Sequence, residues 1–356
     1  MIRPLGILGA GIAFVAPVLA CATQPIAVDA AMAWVQPVIG IKYPPMLAGF
    51  DRTGVVEYDT AQRDVSAGYK DGASGTIATV YAFYAGFPDA SIWHDRIRYA
   101  MTNGMLGTPD FTTGVTGTFT PPGESTPTGL RSSFRMSGKT VTASGVAIFA
   151  HDGWLVAVRM SSSRLDRDAL DARMAALVAA LPLAPARATP KPVYTIEQCA
   201  VPLPPVSAKL AEQSTADTTA MALSSLDLPV KPGRAAPVGN PRYCREPGAT
   251  TNVGIYRLNG AADGYLVAMG DSGDTAIVAN NLILDELHTG ARHYSIRLAR
   301  TAQTLIFPAT IGLPAPTQVT NMIEQTRPLA SVNRPVGAFE KPQINIFFAP
   351  DTPKAN

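Results

Sequence analysis

The sequence contains few of the side chains from which most catalytic and metal centres are built. Its 356 residues include 4 His and 3 Cys, and none of them follows the His-Glu-x-x-His or Cys-x-x-Cys spacing that holds a zinc ion. The chain also lacks a Gly-x-Ser-x-Gly elbow, a phosphate-binding Gly-x-x-x-x-Gly-Lys loop and a Gly-x-Gly-x-x-Gly turn after a strand. These absences argue against zinc peptidases, α/β-hydrolases, P-loop nucleotidases and dinucleotide-binding enzymes, and we expect no cofactor.

Charge is also scarce. Only 16% of residues are charged, and 29 basic against 27 acidic side chains leave a formal net charge of +2. This balance gives no electrostatic reason to expect nucleic acid or an anionic membrane as a partner. Hydrophobic residues make up 47% of the chain, which is typical of a folded protein. The 31 Pro and 30 Gly favour many turns and short strands over long helices.

The first residues carry the strongest signal in the sequence. Arg3 is followed by residues 5–20, which include no charged side chain. As a helix, this stretch would span roughly 24 Å, less than the bilayer's hydrocarbon core of about 30 Å. A positive start, a brief apolar stretch and small residues after it are typical of a secretory signal peptide. We predict such a peptide at residues 1–22; a buried N-terminal helix and an uncleaved membrane anchor are the alternatives.

The end of this segment allows two kinds of processing. Small residues favour cleavage after Ala20 or Ala22, with a later option at Ala30. The segment Val18-Leu19-Ala20-Cys21 resembles a bacterial lipobox, in which the Cys becomes the lipidated N-terminus, although its second residue is larger than that motif prefers. We predict a periplasmic or secreted protein, with an outer-membrane lipoprotein lipidated at Cys21 as the alternative.

The two later cysteines fit an exported protein. If Cys21 is removed or lipidated, Cys199 and Cys244 remain as one pair. In an oxidising envelope we expect them to form a disulfide, which would close a loop of about 46 residues worth about 4 kcal/mol on the chain-entropy model. Two free thiols in a reducing cytosol would be the alternative.

A chain of this length usually divides into two domains. We predict a tether with a lead-in strand at 23–50, a first domain at 51–181, a Pro-rich linker at 182–193, a second domain at 194–350 and a tail at 351–356. The predicted fold class is α+β, with each domain a mainly antiparallel sheet whose helices pack on one face.

Hydrophobic periodicity and turn residues place the elements within these domains. Strands are predicted at 55–58, 65–69, 76–84, 111–119, 130–136, 141–149, 154–160, 253–258, 265–269, 275–279, 294–300, 304–307 and 343–348. Helices are predicted at 92–105, 166–181, 207–221, 281–288 and 317–325. Asp152-Gly153 supplies the positive φ of a tight hairpin turn.

Two passages of the first domain, Gly75–Tyr81 and Asp152–Arg159, resemble exported bacterial proteins of unassigned function, chiefly of an Ala/Pro-rich proteobacterial type. The resemblance covers about a third of the chain. It implies no activity.

Gly270-Asp271-Ser272-Gly273 is similar to the nucleophile segment of chymotrypsin-like serine proteases. That chemistry requires a His that accepts the serine proton and an Asp that orients it. Neither His94, in Ile-Trp-His-Asp, nor His151, in a hairpin turn, stands in the context which that family uses. A turn between two predicted strands explains the same residues, so we interpret them as a turn and keep a serine hydrolase using Ser272 as an alternative.

Other polar groups are interpreted structurally. Asp285, Glu286, His288 and His293 lack a helical metal-ligand spacing and are interpreted as solvated side chains near a turn. His94, Asp95 and Arg96 could line a groove, but neighbouring Trp93 at helical spacing favours a core helix. Ser161-Ser162-Ser163-Arg164 is interpreted as the cap region of the following helix, with an anion site as the alternative. Arg292, Arg297 and Arg300 could form a basic patch, but alternation along a strand points Arg297 and Arg300 to opposite faces.

The sequence therefore predicts an exported envelope protein. It favours a non-catalytic binding or scaffolding module over an enzyme. The long segment Thr108–Gly129 is its best candidate for recognition, because it exceeds the usual length of a connection. The expected partner is an envelope protein or a small ligand, not nucleic acid, with membrane contact only through a lipid at Cys21. A serine hydrolase and a lipid-tethered assembly factor are the alternatives.

Overall fold

A computed structural model describes residues 23–103, 107–138, 140–204, 207–225, 242–288, 290–335 and 342–347. The predicted signal peptide 1–22, Cys21 and the tail 351–356 lie outside the described residues. In the described residues no helix is long and apolar enough to cross a membrane.

The first half of the chain forms a mainly antiparallel sheet. Its strand order is β1-β5-β6-β7-β11-β10-β9-β8, with β4 paired to β5, and β2 pairs separately with β3. The bounds are β1 Gln24–Ile26, β2 Trp34–Val35, β3 Lys42–Tyr43, β4 Met46–Leu47, β5 Phe50–Glu57, β6 Asp64–Asp71, β7 Thr76–Phe83, β8 Thr108–Phe119, β9 Gly129–Ser137, β10 Ala143–His151 and β11 Trp154–Ser162.

The second half forms another antiparallel sheet in the order β13-β14-β15-β16-β17-β18-β19-β20, with β12 paired to β18. The sequence predicted six of these strands and missed the others, which are short. The bounds are β12 Lys209–Leu210, β13 Tyr243–Arg245, β14 Val253–Leu258, β15 Gly264–Met269, β16 Asp274–Asn280, β17 His293–Ala299, β18 Gln303–Ile311, β19 Ala330–Asn333 and β20 Ile344–Ile346.

Helices begin where a side chain can accept hydrogen bonds from free N–H groups. Asp89 accepts from the backbone of Ser91 and Ile92, as expected for a cap, and a capping box begins the third helix later than predicted, at Ser214. The bounds are α1 Ala90–Ala100, α2 Arg167–Ala179, α3 Thr215–Ser224, α4 Leu282–Leu287 and α5 Pro316–Gln325.

Helices α1 and α2 cover opposite faces of the first sheet. Leu155 of β11 packs in one hydrophobic cluster with Trp93 of α1, whereas the next residue, Val156, packs in another with Met174 of α2. Successive strand residues point to opposite faces. The expectation that both helices pack on one face is therefore wrong for this sheet, because periodicity identifies the apolar side of a helix but not the face of the sheet that it covers.

The second sheet is arranged in the same way. Ile306 of β18 packs with Met221 of α3, and the next residue, Phe307, packs with Val319 of α5. Each of the two sheets thus has a helix packed on each of its two faces.

Residues 23–50, which were expected to form a tether and a lead-in strand, contribute to the first core. Ile41, Tyr43 and Phe50 are fully buried there, and β1 pairs with β5. The absence of a clear period in this segment reflects its two- and three-residue strands, which are too short to show alternation.

The two sheets meet across a shared hydrophobic cluster. Phe83, at the end of β7, and Trp93 of α1 pack with Tyr256 and Ala268 of the second sheet. The backbones also approach closely, since the N–H of Gly86 donates to the carbonyl of Gly273 at 2.8 Å. The division into two domains stays a prediction.

Candidate functional site

Ser272 lies in the turn that joins β15 to β16. Met269 pairs with Asp274, so residues 270–273 form the end of a hairpin, with positive φ at Gly270 and Gly273. The prediction of a turn is confirmed. In the described part of the chain, none of the four His is hydrogen-bonded to Ser272: His94 bonds Ser132, His288 bonds Asp217 and His293 bonds Asp285, while Nδ1 of His151 is buried without a partner.

A cavity of about 210 Å³ opens where this hairpin meets the first sheet. Asp271 and Ser272 line it from the second sheet, and Asp64, Tyr81 and Arg159 line it from the first. The guanidinium of Arg159 and the carboxylate of Asp271 form an ion pair at 3.2 Å across the boundary. The cavity is therefore built by both sheets.

The strand register explains the floor of the cavity. Asp64 of β6 lies opposite Phe83 of β7, and Tyr81 lies opposite Ala157 of β11. Residues two apart on one strand share a face, so these side chains and Arg159 all lie on the face that meets the second sheet.

Asp64 is the unusual residue of this cavity. It is only 8% exposed, and among the described residues its carboxylate has neither a hydrogen-bond donor nor an ion-pair partner. Burial, followed by the nearby carboxylates of Asp271, Asp59 and Asp274, raises the pKa of Asp64 to about 7. No sequence pattern singles out this residue, because a lone Asp at the start of a strand is ordinary.

The predicted groove at His94, Asp95 and Arg96 is not a surface feature, because all three residues are buried. Asp95 instead joins the two sheets: its carboxylate accepts from the guanidinium of Arg245 at 2.5 Å and from the hydroxyl of Tyr256 at 3.0 Å. The interpretation as a core helix is thus the better one for this segment.

His94 forms a pair that the sequence could not show. Its Nε2 lies 2.8 Å from the hydroxyl of Ser132, which is 2.6 Å from the hydroxyl of Thr116. Burial, followed by the nearby charge of Arg98, lowers the pKa of His94 to about 3, so the imidazole is neutral. Ser132 is fully buried, and Asp95 bonds Arg245 and Tyr256 rather than His94, so the pair fits a structural hydrogen bond better than a nucleophile.

The predicted disulfide between Cys199 and Cys244 is present. It lies beside the junction of the sheets, because the next residue, Arg245, pairs with Asp95. The carbonyl of Arg245 also accepts from the N–H of Cys199 at 2.9 Å. The disulfide thus holds the chain next to the ion pair.

The cluster around His288 and His293 folds together without forming a metal site. Nδ1 of His293 lies 3.2 Å from Asp285, and Nε2 of His288 lies 2.9 Å from Asp217, a residue that is distant from this cluster in sequence. His288 is half exposed, as expected, whereas His293 is buried. In the described ranges no three His, Cys, Asp or Glu side chains are placed to hold a metal ion.

The two remaining polar groups have structural contacts. The hydroxyl of Ser162 accepts from the N–H groups of Arg164 and Leu165 just before α2, but the residue that caps α2 is Asp166. Arg300 pairs with Asp274 at 3.0 Å.

The segment Thr108–Gly129, the candidate for recognition, is mostly strand, and the strand predicted at 111–119 is confirmed. Residues 108–119 form β8, which is the last strand of the first sheet, and only residues 120–128 connect it to β9. In the described residues the outer edge of β8 pairs with no other strand.

A bulge divides β8 into two parts. Pairing with β9 shifts between Asp110 and Val115, and the carboxylate of Asp110 accepts from the hydroxyls of Thr112 and Thr113 at 2.6 and 2.7 Å. The second part, Val115–Phe119, resumes regular pairing and carries no charged side chain.

No protein-family model, curated protein or solved structure matches the chain.

Proposed function

We propose that the protein is exported and acts as a non-catalytic binding module of the bacterial envelope. It recognises an extended segment of a partner protein, which adds as a strand to the free edge of β8. In this proposal the sheets belong to two domains, and β8 is the recognition edge of the first.

The observation that carries the proposal is the regular, uncharged edge at Val115–Phe119. Natural proteins usually protect a sheet edge with Lys, Pro, a bulge or a very short strand. β8 has Pro109 and a bulge in its first part, but neither feature protects the second part. An open edge offers backbone N–H and carbonyl groups that an extended peptide can pair with.

The other sheet ends are less suited to strand addition. β1, β13 and β20 each have three residues, and β1 includes Pro25. Val115 and Thr118 of β8 are exposed, so a bound strand could also contact their side chains. Length and exposure therefore favour β8.

Site-specific cross-linking tests this proposal. A photo-cross-linking side chain at Thr118 is expected to form one adduct with an envelope protein. Val115→Lys should reduce that adduct at least about tenfold, because a Lys on an edge strand disfavours strand addition. Ile77→Lys is the matched control, since Ile77 is 53% exposed but lies on a strand inside the sheet.

An adduct that survives Val115→Lys would contradict strand addition at this edge. An adduct between two copies of the chain would contradict the partner protein, because the edge would then be a self-association surface.

Export is supported by the disulfide Cys199–Cys244, since disulfides persist mainly in oxidising compartments. Mass spectrometry of the mature N-terminus tests it. A start at unmodified Cys21, Thr23 or Ala31 agrees with a signal peptide, whereas an acylated Cys21 identifies the lipid-tethered alternative. Full-length protein with Met1 in the cytosol would contradict export.

A further inference from the structure

We propose a second binding site, independent of β8: the cavity beside Ser272 binds a small organic monocation, such as a quaternary ammonium group, with Asp64 as its counter-ion. The cavity lies between β6, β7, β11 and the hairpin at 270–273. Its volume of about 210 Å³ is sufficient for a few heavy atoms beyond a single water molecule.

The first argument is the unpartnered carboxylate. Buried charges in proteins are almost always paired or hydrogen-bonded, because an isolated buried charge is costly. Asp64 is only 8% exposed and lines the cavity, yet within the described ranges its carboxylate accepts no hydrogen bond. A group that violates this rule inside a cavity is a candidate for ligand binding.

The second argument is the charge of the lining. Three charged side chains face the cavity: Asp64, Arg159 and Asp271. Arg159 and Asp271 neutralise each other in their ion pair, which leaves Asp64, once it is ionised above its pKa of about 7, as the single unpaired negative charge of the three. The complement to that lining is a ligand with one positive charge.

The third argument is the chemistry of the walls. Tyr58 and Tyr81 line the same cavity together with the apolar Phe83 and Ile97. Aromatic faces attract cations through the ring quadrupole and are the usual surroundings of quaternary ammonium groups. A metal ion would need several oxygen, nitrogen or sulfur ligands, and the described residues offer no such group.

Titration calorimetry on the mature protein tests the site with choline and with 3,3-dimethylbutan-1-ol, its uncharged carbon isostere. Choline is expected to bind one to one and at least about tenfold more tightly than the isostere, which corresponds to about 1.4 kcal/mol. Asp64→Asn keeps the shape of the side chain and should weaken choline binding at least tenfold. Asp168→Asn, on the exposed surface of α2, should leave it unchanged.

A second pair of variants tests the walls. Tyr81→Phe retains the ring and should retain choline binding, whereas Tyr81→Leu should weaken it severalfold. Circular dichroism melting curves confirm that each variant is folded. The proposal is overturned if choline does not bind, if the isostere binds equally well, or if Asp64→Asn binds choline as the parent does.

Discussion

The contact between the sheets predicts a large effect for Asp95→Asn. This change removes the charge that faces the guanidinium of Arg245 at 2.5 Å. Breaking a buried ion pair from one side costs about 3–5 kcal/mol, because the other charge stays buried without a partner. The side chain of Arg245 is 17% exposed, and its guanidinium stacks over the ring of Tyr99 at 4.5 Å. Because both features stabilise the charge left behind, they favour the lower end of this energy range. We expect a loss of about 3 kcal/mol in the free energy of unfolding.

Tyr256→Phe provides the graded comparison. It removes a single hydrogen bond to the same carboxylate, at 3.0 Å, and should cost about 1.5 kcal/mol. Because both residues contact one carboxylate, the double variant Asp95→Asn with Tyr256→Phe should be less destabilised than the sum of the two single changes, by about 1 kcal/mol.

Urea unfolding followed by Trp fluorescence measures these effects. Trp93 is a suitable reporter because it is buried on α1 two residues before Asp95. Asp171→Asn is the control, since Asp171 of α2 pairs with Arg131 of β9 at 2.9 Å and both side chains are about a quarter exposed. It should cost less than about 1 kcal/mol. Equal effects of Asp95→Asn and Asp171→Asn would refute the reasoning.

Three further results are expected from unfolding experiments. Cys199→Ser should lower the free energy of unfolding by about 4 kcal/mol, because it opens a loop with a sequence separation of 45; an unchanged midpoint would contradict this. Gly86→Ala should cost at least about 2 kcal/mol, since its Cβ would lie within 3 Å of Ala299, whereas Gly72→Ala has open space. The pKa of Asp64 is about 7 in the folded protein, against an ordinary value of 3.8. The folded state therefore retains a proton between these values, and the free energy of unfolding should fall as pH rises from about 4 to 7. Asp64→Asn should remove up to about 4 kcal/mol of that fall, and an identical pH profile for the variant and the parent would contradict the raised pKa.

Local sequence signals predicted most strands of the two sheets. β14 lies at Val253–Leu258, as predicted, and β15 and β16 begin one residue earlier than predicted. The hairpin at Asp152-Gly153 is confirmed, with φ of +48° and +82°. These elements are bounded by Gly, Asp and Asn, whose preference for turns acts within a few residues.

Contacts between distant residues could not be predicted in this way. The sequence makes Asp95 a candidate to line a groove, but its partner Arg245 is 150 residues away in sequence. Period and polarity describe a helix face in isolation. They do not reveal that a second sheet packs against this helix and buries its polar side chains.

The cavity depends on a docking contact of the same kind. Alternation along β7 indicates that Tyr81 and Phe83 share a face, but not that the turn at Ser272 lies above that face. The nearest sequence signal is a pair of glycines, because Gly86 and Gly273 meet where a Cβ would clash with the opposite backbone. The hairpin held by this approach forms one wall of the cavity that Asp64 lines. An ionised carboxylate without a partner is unfavourable in the free protein. Under the proposed cation site, a bound cation would stabilise this charge, so the residue that weakens the fold would also provide binding energy.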